Sequence, residues 1–102
     1  MFCLSMSPNH YDYINNLGYI PVGLGEKKFN EKWFTDKSGD NISGKNRYYS
    51  EYTFHYWLWK NYLNKLEDGW IGFCQYRKFW SLKEENKENI NINNINDKIL
   101  KE

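Results

Sequence analysis

The sequence is poor in cysteine and proline, contains no long apolar run and carries no excess of either charge. It has 102 residues, of which two are cysteine and two are proline, and 14 basic residues nearly balance 13 acidic ones, for a formal net charge of +1. Such a small net charge gives no global field to attract a nucleic-acid backbone or an anionic membrane. No apolar stretch approaches the ~20 residues that cross a bilayer. We therefore expect no nucleic-acid partner and no transmembrane segment, which leaves peripheral association with a membrane open.

The cysteines and histidines show none of the spacings that bind metals. Cys3 and Cys74 lie in apolar, strand-like runs, and no secretory leader precedes Cys3, so we expect two buried thiols of a cytoplasmic protein rather than a disulfide. His10 and His55 have no cysteine or carboxylate at zinc-ligand spacing. The Asp-x-Asp pair with which many sugar transferases bind a divalent ion is absent. No cofactor is evident, and a divalent cation is unsupported by any motif.

The length allows a single domain with its own core. The apolar run from Phe2 to Met6 predicts a short buried strand, and residues 19–22 predict a second one. Between them we expect a brief helix over residues 11–17, with Asn9 as its cap and Gly18 after its end. The pattern therefore predicts an α/β fold that begins almost at the first residue.

The longest predicted element is a helix from about residue 47 to residue 66, with Asn46 as its N-cap. At the period of a helix, several large side chains fall on one face, and we expect this face to be the buried one. Its stripe consists of Tyr48, Tyr52, His55, Trp59, Tyr62 and Leu66. The opposite face carries Phe54 and Trp57, which we expect to meet another layer or a partner.

A compact apolar run at residues 70–74 follows and predicts a central strand. Open α/β sheets bind ligands beyond the carboxyl ends of their strands, so the residues after this run are candidates for binding a donor: Gln75, Tyr76, Arg77 and Lys78. Arg77 can hold a phosphate through two hydrogen bonds, Lys78 adds a point charge and Gln75 can orient a hydroxyl. From the spacing alone, a structural ion pair between Arg77 and Glu51 is an equal alternative.

Residues 40–46, directly before the predicted helix, form a second candidate segment for the donor. Asp40 and Asn41 suit hydrogen bonds to sugar hydroxyls, while Lys45 suits a phosphate near the helix start at Asn46. The alternative is an Asx turn followed by an N-cap, which such residues commonly form.

Aromatic residues are concentrated in the second half of the sequence, where thirteen of the twenty fall between Tyr48 and Trp80. Tyrosine and tryptophan need hydrogen-bond partners for their polar tips when buried, and a polyhydroxylated ligand can supply them. Glu51, Trp57 and Trp80 are accordingly candidate contacts to a sugar or an acceptor.

One extended pattern joins these segments. It reads Gly39-Asp40-Asn41-Ile42-Ser43-x-Lys45-Asn46-x-x-Tyr49-x-Glu51-x-Thr53-x-x-Tyr56-Trp57-x-Trp59-Lys60-Asn61 and continues as Trp70-Ile71-Gly72-Phe73-x-Gln75-Tyr76-Arg77. The pattern resembles the bacterial domain-of-unknown-function 4422 family, whose members are usually described as capsular or exopolysaccharide glycosyltransferases. Where members commonly show His-Tyr-Arg-Arg-Tyr-Phe, this chain has Gln75-Tyr76-Arg77-Lys78-Phe79-Trp80.

The resemblance implies a nucleotide-sugar-dependent glycosyltransferase of surface polysaccharide biosynthesis, with a glycan as acceptor and a partial, Rossmann-like GT-A sheet. Because the family domain is about twice this length, residues 1–82 are expected to form its N-terminal part. Residues 83–102 then form a tail rich in Asn, Lys, Glu and Ile, in which Ile92, Ile95 and Ile99 predict a short helix. No residue is assigned as the general base.

The alternative function is a non-catalytic carbohydrate-binding or interaction module. In that case Trp57, Trp59 and Trp80 would stack on sugar rings, and no nucleotide would bind.

Overall fold

A computed structural model describes residues 1–84, 91 and 93–101 of the chain. Its strands form one parallel sheet in the order β3-β2-β1-β4. The strands are β1 (Phe2–Ser5), β2 (Ile20–Gly23), β3 (Phe34–Thr35) and β4 (Phe73–Gln75). The helices are α1 (Tyr11–Asn16), α2 (Asn46–Tyr49), α3 (Tyr52–Asn61) and α4 (Ile95–Lys98). Single 3-10 turns lie at Pro8–His10, Ser43–Lys45 and Leu63–Lys65. The α/β class with a partial, Rossmann-like sheet is as predicted.

Strand β1 is paired on both edges and buried on both faces. Leu4 lies opposite Val22 of β2 and opposite Gln75 of β4. Because successive side chains of a strand point to opposite faces, Phe2 and Leu4 join a core cluster with α3, while Cys3 joins a second cluster with α1. A parallel strand covered on both faces needs apolar residues at consecutive positions, and all four residues of β1 are buried.

The predicted first half of the fold is largely confirmed. Strands β1 and β2 lie where the apolar runs predicted them, and Gly18 follows α1 with a φ of 81°, a conformation that suits glycine after a helix. The predicted cap is wrong, because the side chain of Ser7 accepts the hydrogen bond from the backbone N–H of Asn9. This bond caps the 3-10 turn that leads into α1.

The predicted strand at residues 70–74 begins later than expected and is not central in the described sheet. Pairing with β1 starts where the N–H of Phe2 donates to the carbonyl of Gly72, at 2.8 Å. Trp70 is fully exposed. Strand β4 lies at the edge of the four-stranded sheet, next to β1. The apolar run at residues 70–74 is therefore only partly in the core, and part of it lies on the surface at the edge of the sheet.

The predicted helix over residues 47–66 is interrupted at Ser50. Ser50 has a φ of 51° and a ψ of −129°, which no α-helix accommodates. Its carbonyl accepts hydrogen bonds from the side chains of Asn46, at 2.9 Å, and Thr53, at 3.1 Å. The backbone N–H of Thr53 also donates to this carbonyl, at 3.3 Å, so side chains and a tight turn share a carbonyl that a continuous helix would pair with the N–H of residue 54. After α3 ends at Asn61, a 3-10 turn replaces the predicted last turns.

The predicted buried face of α3 is also wrong. Phe54 is 0% and Trp57 8% exposed, whereas Trp59 is 59% and Tyr52 62% exposed. Both faces of this helix carry aromatic rings, so hydrophobic periodicity alone did not distinguish them. The sheet selects Phe54, whose ring packs at 5.4 Å from that of Phe2.

The described part of the tail packs on the second core cluster. Ser81 pairs with Ile99 in an antiparallel bridge, and Ile99 is buried. The hydroxyl of Tyr19 donates to the carbonyl of Leu100, at 2.6 Å. Helix α4 lies where a short helix was predicted, although Ile92 of that pattern falls outside the described residues. The division of the chain at residue 83 stays a prediction.

Both cysteines are buried and free, as predicted. They lie opposite each other in the register of β1 and β4. A hydrogen bond between the thiols and burial raise the pKa of Cys3, while the same bond lowers the pKa of Cys74. Among the described residues, no helix is long and apolar enough to span a membrane.

The orientation of α3 gives a first testable prediction. Replacing Trp57 with Ala should lower the free energy of unfolding by about 3–5 kcal/mol, because it removes a buried ring from the core. Trp59→Ala, on the same helix, should change it by less than about 1 kcal/mol. Urea denaturation followed by far-ultraviolet circular dichroism measures both. Equal losses in the two variants would contradict this orientation.

Candidate functional site

A cavity of about 750 Å³ lies where three strands of the parallel sheet end. Met6 follows β1, Gly25 follows β2 and Lys37 follows β3, and all three line it. Open α/β sheets bind their ligands at this edge. We call this cavity the basic cleft.

The basic cleft is lined by three cationic side chains and one carboxylate. Lys27, Lys37 and Arg47 are the cations, and Glu26 is the carboxylate. The ammonium of Lys37 donates to the backbone carbonyl of Lys27, at 3.3 Å, which ties the loops after β2 and β3 together. Ser43 adds a hydroxyl to the lining. Cationic and hydroxyl side chains that line one cavity suit an anion such as a phosphate.

Close packing of two loops shapes one wall of the basic cleft. Gly25 has a φ of 85°, and a Cβ added there would lie 2.9 Å from the methyl carbon of Met6. The backbone conformation therefore favours glycine here, whereas the Met6 methyl group ends a flexible, exposed side chain that can move aside.

Only part of the predicted segment 40–46 faces the basic cleft. Asn46 lines it, together with Ser43 and Gly44. Lys45 is exposed and does not line either cavity described here. Asn46 is not an N-cap, because it is the first residue of α2 and its amide donates to Ser50 and Thr53. Since α2 has only four residues, the expected contribution of a helix dipole to anion binding does not apply.

Asp40 and Asn41 hold the loop before α2 in place. The carboxylate of Asp40 accepts a hydrogen bond from the hydroxyl of Tyr56, at 3.0 Å, and the backbone carbonyl of Asp40 accepts one from the side-chain amide of Asn61, at 2.7 Å. The hydrogen bond to Asp40 raises the pKa of Tyr56. The side-chain oxygen of Asn41 accepts from the N–H and the hydroxyl of Ser43. This is the Asx turn that the sequence left open as an alternative.

A second cavity, of about 690 Å³, lies beside β4 and the start of α3. Its polar lining consists of Glu51, His55, Gln75 and Lys78, and its aromatic lining includes Trp70 and Trp80. We call it the aromatic groove. The amide of Gln75 donates to the carboxylate of Glu51, so Gln75 takes the place expected for Arg77 in the alternative ion pair.

The two predicted donor segments therefore lie in different cavities. Gln75 and Lys78 line the aromatic groove, whereas Asn46 lines the basic cleft. Tyr76 and Arg77 line neither: Tyr76 stacks on His10 at 4.4 Å, and the Arg77 guanidinium lies 5.5 Å from the Tyr76 ring. A donor role for Arg77 stays a prediction.

The predicted sugar contacts divide in the same way. Glu51 and Trp80 come together in the aromatic groove. Trp57 is buried, and its indole N–H donates to the carbonyl and the hydroxyl of Ser38, at 3.0 and 3.1 Å. Trp57 is therefore not available to stack on a sugar, and it holds the loop before α2 against α3.

Sequence reasoning missed the three cations of the basic cleft. Lys27 and Lys37 lie in the loops after β2 and β3, and Arg47 lies in α2, so the three cations are separated in the sequence. The available signal was the rule that residues after each parallel strand converge. Applying this rule required knowledge of β3, a two-residue strand that the sequence patterns above do not predict.

Asp36, directly after β3, is a further unexpected residue. It is fully buried, and neither carboxylate oxygen has a hydrogen-bond partner among the residues that the structure describes. Burying an unpaired carboxylate is costly. Among the same residues, no group of three His, Cys, Asp or Glu side chains is placed to hold a metal ion.

The fold and these cavities define an α/β protein with a cleft at the strand ends whose lining includes three cationic side chains. The sequence model of a family described as "Domain of unknown function (DUF4422)" matches residues 4–102, which is nearly the whole chain. The chain belongs to this family, as its resemblance predicted. No curated protein and no solved structure matches the chain.

The buried carboxylate gives a second prediction. Asp36→Asn keeps the shape of the side chain and removes its charge, so the free energy of unfolding should rise by about 1–3 kcal/mol. The control is Asp68→Asn at an exposed position, where little change is expected. Thermal and urea denaturation measure both variants. A loss of stability in Asp36→Asn would show that the carboxylate has a favourable partner.

The third prediction concerns pH. Burial lowers the pKa of His55 below its usual value of 6.5, and Glu51 partly opposes this shift. The folded chain thus disfavours the charged form of the His55 ring. The neutral ring contributes fully to the free energy of unfolding at pH values above the usual pKa, and this contribution is lost as the pH falls below that pKa. Denaturation from about pH 7.5 to about pH 5.5 should show a shallower loss of stability in His55→Gln than in the wild type. The same dependence of stability on pH in the variant and the wild type would contradict a lowered pKa of His55.

Proposed function

We propose that the chain provides the donor site of a nucleotide-sugar-dependent glycosyltransferase that builds a surface polysaccharide. The basic cleft carries this proposal, since three cationic side chains meet at the strand ends of a parallel sheet. The diphosphate of a nucleotide sugar carries negative charge and would bind there. The reaction class and the polysaccharide product come from the resemblance to the family pattern.

The chemistry of glycosyl transfer explains why such a cleft is useful. The bond between the anomeric carbon and the phosphate oxygen of the donor breaks, and the leaving diphosphate takes the electron pair. Negative charge grows on that diphosphate in the transition state, and fixed cations stabilise it. Lys27, Lys37 and Arg47, which line the basic cleft, would provide this stabilisation. The acceptor hydroxyl forms the new bond to the anomeric carbon and loses its proton.

Two free, buried thiols support a cytoplasmic location. Cys3 and Cys74 are opposite each other on paired strands and remain reduced. Thiols in this arrangement suit a reducing compartment.

The alternative function, a carbohydrate-binding module without catalysis, is favoured by the aromatic groove. Trp70 is fully exposed and Trp80 is 62% exposed there. Such a module has no use for a diphosphate. Binding of a nucleotide therefore separates the two functions.

The fourth prediction tests the donor site with UDP, GDP and pyrophosphate as probes in isothermal titration calorimetry. Arg47→Ala should weaken binding about tenfold or more, because a hydrogen bond between charged groups contributes about 1.5–3 kcal/mol. Arg77→Ala is the matched control, since each arginine lies over a neighbouring tyrosine ring, at 5.3 Å for Arg47 and 5.5 Å for Arg77. If the diphosphate lies in the basic cleft, this control should bind like the wild type, whereas a donor role for Arg77 predicts a loss of affinity.

Because side-chain cations neutralise the phosphates in this proposal, binding should persist in the presence of a chelator. If none of the three probes binds, the donor site is wrong. If Arg77→Ala weakens binding and Arg47→Ala does not, the phosphates bind beside Arg77 instead. A strict requirement for magnesium or manganese would show that the cleft cations are insufficient.

A further inference from the structure

The aromatic groove is separate from the basic cleft but is joined to it by one short turn. Asn46 lines the cleft, and Glu51 lines the groove. Between them, the carbonyl of Ser50 accepts the hydrogen bond from the Asn46 amide, at 2.9 Å. The six-residue segment 46–51, which comprises α2 and the turn after it, thus contributes a side chain to each cavity.

The two cavities differ in charge. The basic cleft has three cations and one carboxylate in its lining, so its formal charge is 3 − 1 = +2. The side chains that line the aromatic groove include one ammonium, from Lys78, and one carboxylate, from Glu51, so their formal charge is 1 − 1 = 0 with a neutral His55, and Met1 also lines the groove. A phosphorylated ligand is therefore attracted to the cleft, and an uncharged ligand suits the groove.

The aromatic groove combines exposed indole rings with fixed hydrogen-bonding groups. The indole N–H of Trp80 donates to the carbonyl of Phe73, at 2.8 Å, which orients the ring while it stays 62% exposed. The amide of Gln75 and the carboxylate of Glu51 hold each other in position. Aromatic faces beside paired amide and carboxylate groups match the apolar C–H face and the hydroxyl rim of a sugar ring.

The backbone beside the groove does not offer a template for a strand from another protein. Gln75 and Lys78 exchange backbone hydrogen bonds, at 3.0 and 2.9 Å, and Trp80 occupies the carbonyl of Phe73. These bonds lie along the edge of β4, where an added strand would need free groups. The groove therefore presents mainly side chains.

We propose that the aromatic groove binds an uncharged pyranose, which packs on Trp70 and Trp80 and hydrogen-bonds to Glu51 and Gln75. This inference rests on the proposed function for the role of that sugar, which would be the terminal residue of the acceptor glycan. The volume of about 690 Å³ accommodates at least one sugar ring.

The test uses the 102-residue chain and the uncharged methyl glycosides of glucose, galactose and N-acetylglucosamine. Two-dimensional ¹H–¹⁵N spectra report the indole N–H of each tryptophan, assigned by single Trp→Phe variants. At least one glycoside should shift the Trp70 and Trp80 signals in a saturable manner and leave the signal of the buried Trp57 unchanged. Trp70→Ala should weaken this binding about fivefold or more.

Trp59→Ala is the matched control, because Trp59 is exposed but lies outside the groove. Its affinity for the glycoside should equal that of the wild type. Glu51→Gln, which keeps the shape of the side chain, should also weaken binding. Because Trp70 is fully exposed, its loss is not expected to unfold the chain, and circular dichroism checks this.

The results separate this inference from the proposed function. If UDP or pyrophosphate binds through Arg47 and no glycoside binds, the groove proposal is overturned and the donor site stands. If a glycoside binds through Trp70 and no diphosphate binds, the sugar site stands and the transferase proposal fails. Shifts that depend on Trp59, or Trp70 signals that change with protein concentration because a second copy covers the groove, would overturn the groove proposal.

Discussion

The fold depends on β1, the strand that is paired on both edges and buried on both faces. Its residues alternate between two core clusters, so β1 fixes the positions of α1 on one face and of α3 on the other. Parallel strands need such cover on each face. Strand β1 also leads into both cavities, because Leu4 lines the aromatic groove and Met6 lines the basic cleft. The positions of both cavities therefore depend on the pairing of β1 with β2 and β4.

Ser50 is the second constraint on the sites. A positive φ at a residue other than glycine costs on the order of 1–3 kcal/mol and persists only where its surroundings hold it. The side chains of Asn46 and Thr53 bond to its carbonyl. This turn lets α3 pack Phe54 on the sheet while α2 stays beside the cleft. A continuous helix over residues 47–66 would have no turn at Ser50 between α2 and α3.

Local patterns predicted the parts of the fold that depend on neighbouring residues, such as β1, β2 and the glycine after α1. They did not predict the buried face of α3, because Trp57 and Trp59 are equally apolar and only the packed sheet distinguishes them. Glu51, Gln75, Lys78 and Trp80 were all candidates from the sequence, and the structure brings them into one groove. The cations of the cleft were missed because their proximity depends on the pairing of β2 with a two-residue β3.

The separation of charge between the two cavities follows from where their residues originate. Lys27 and Lys37 come from loops after strands and Arg47 comes from α2, and all three are exposed, so these long side chains remain solvated and retain their charge at low cost. The groove is built against Phe73 and Leu4 of the core, where burial lowers the pKa of His55 and a carboxylate takes an amide partner. An unpaired charge is costly in that setting. Under the proposed function, the three cations of the cleft would attract the diphosphate, and the Glu51 carboxylate of the groove would disfavour it there and leave the groove open to the acceptor sugar.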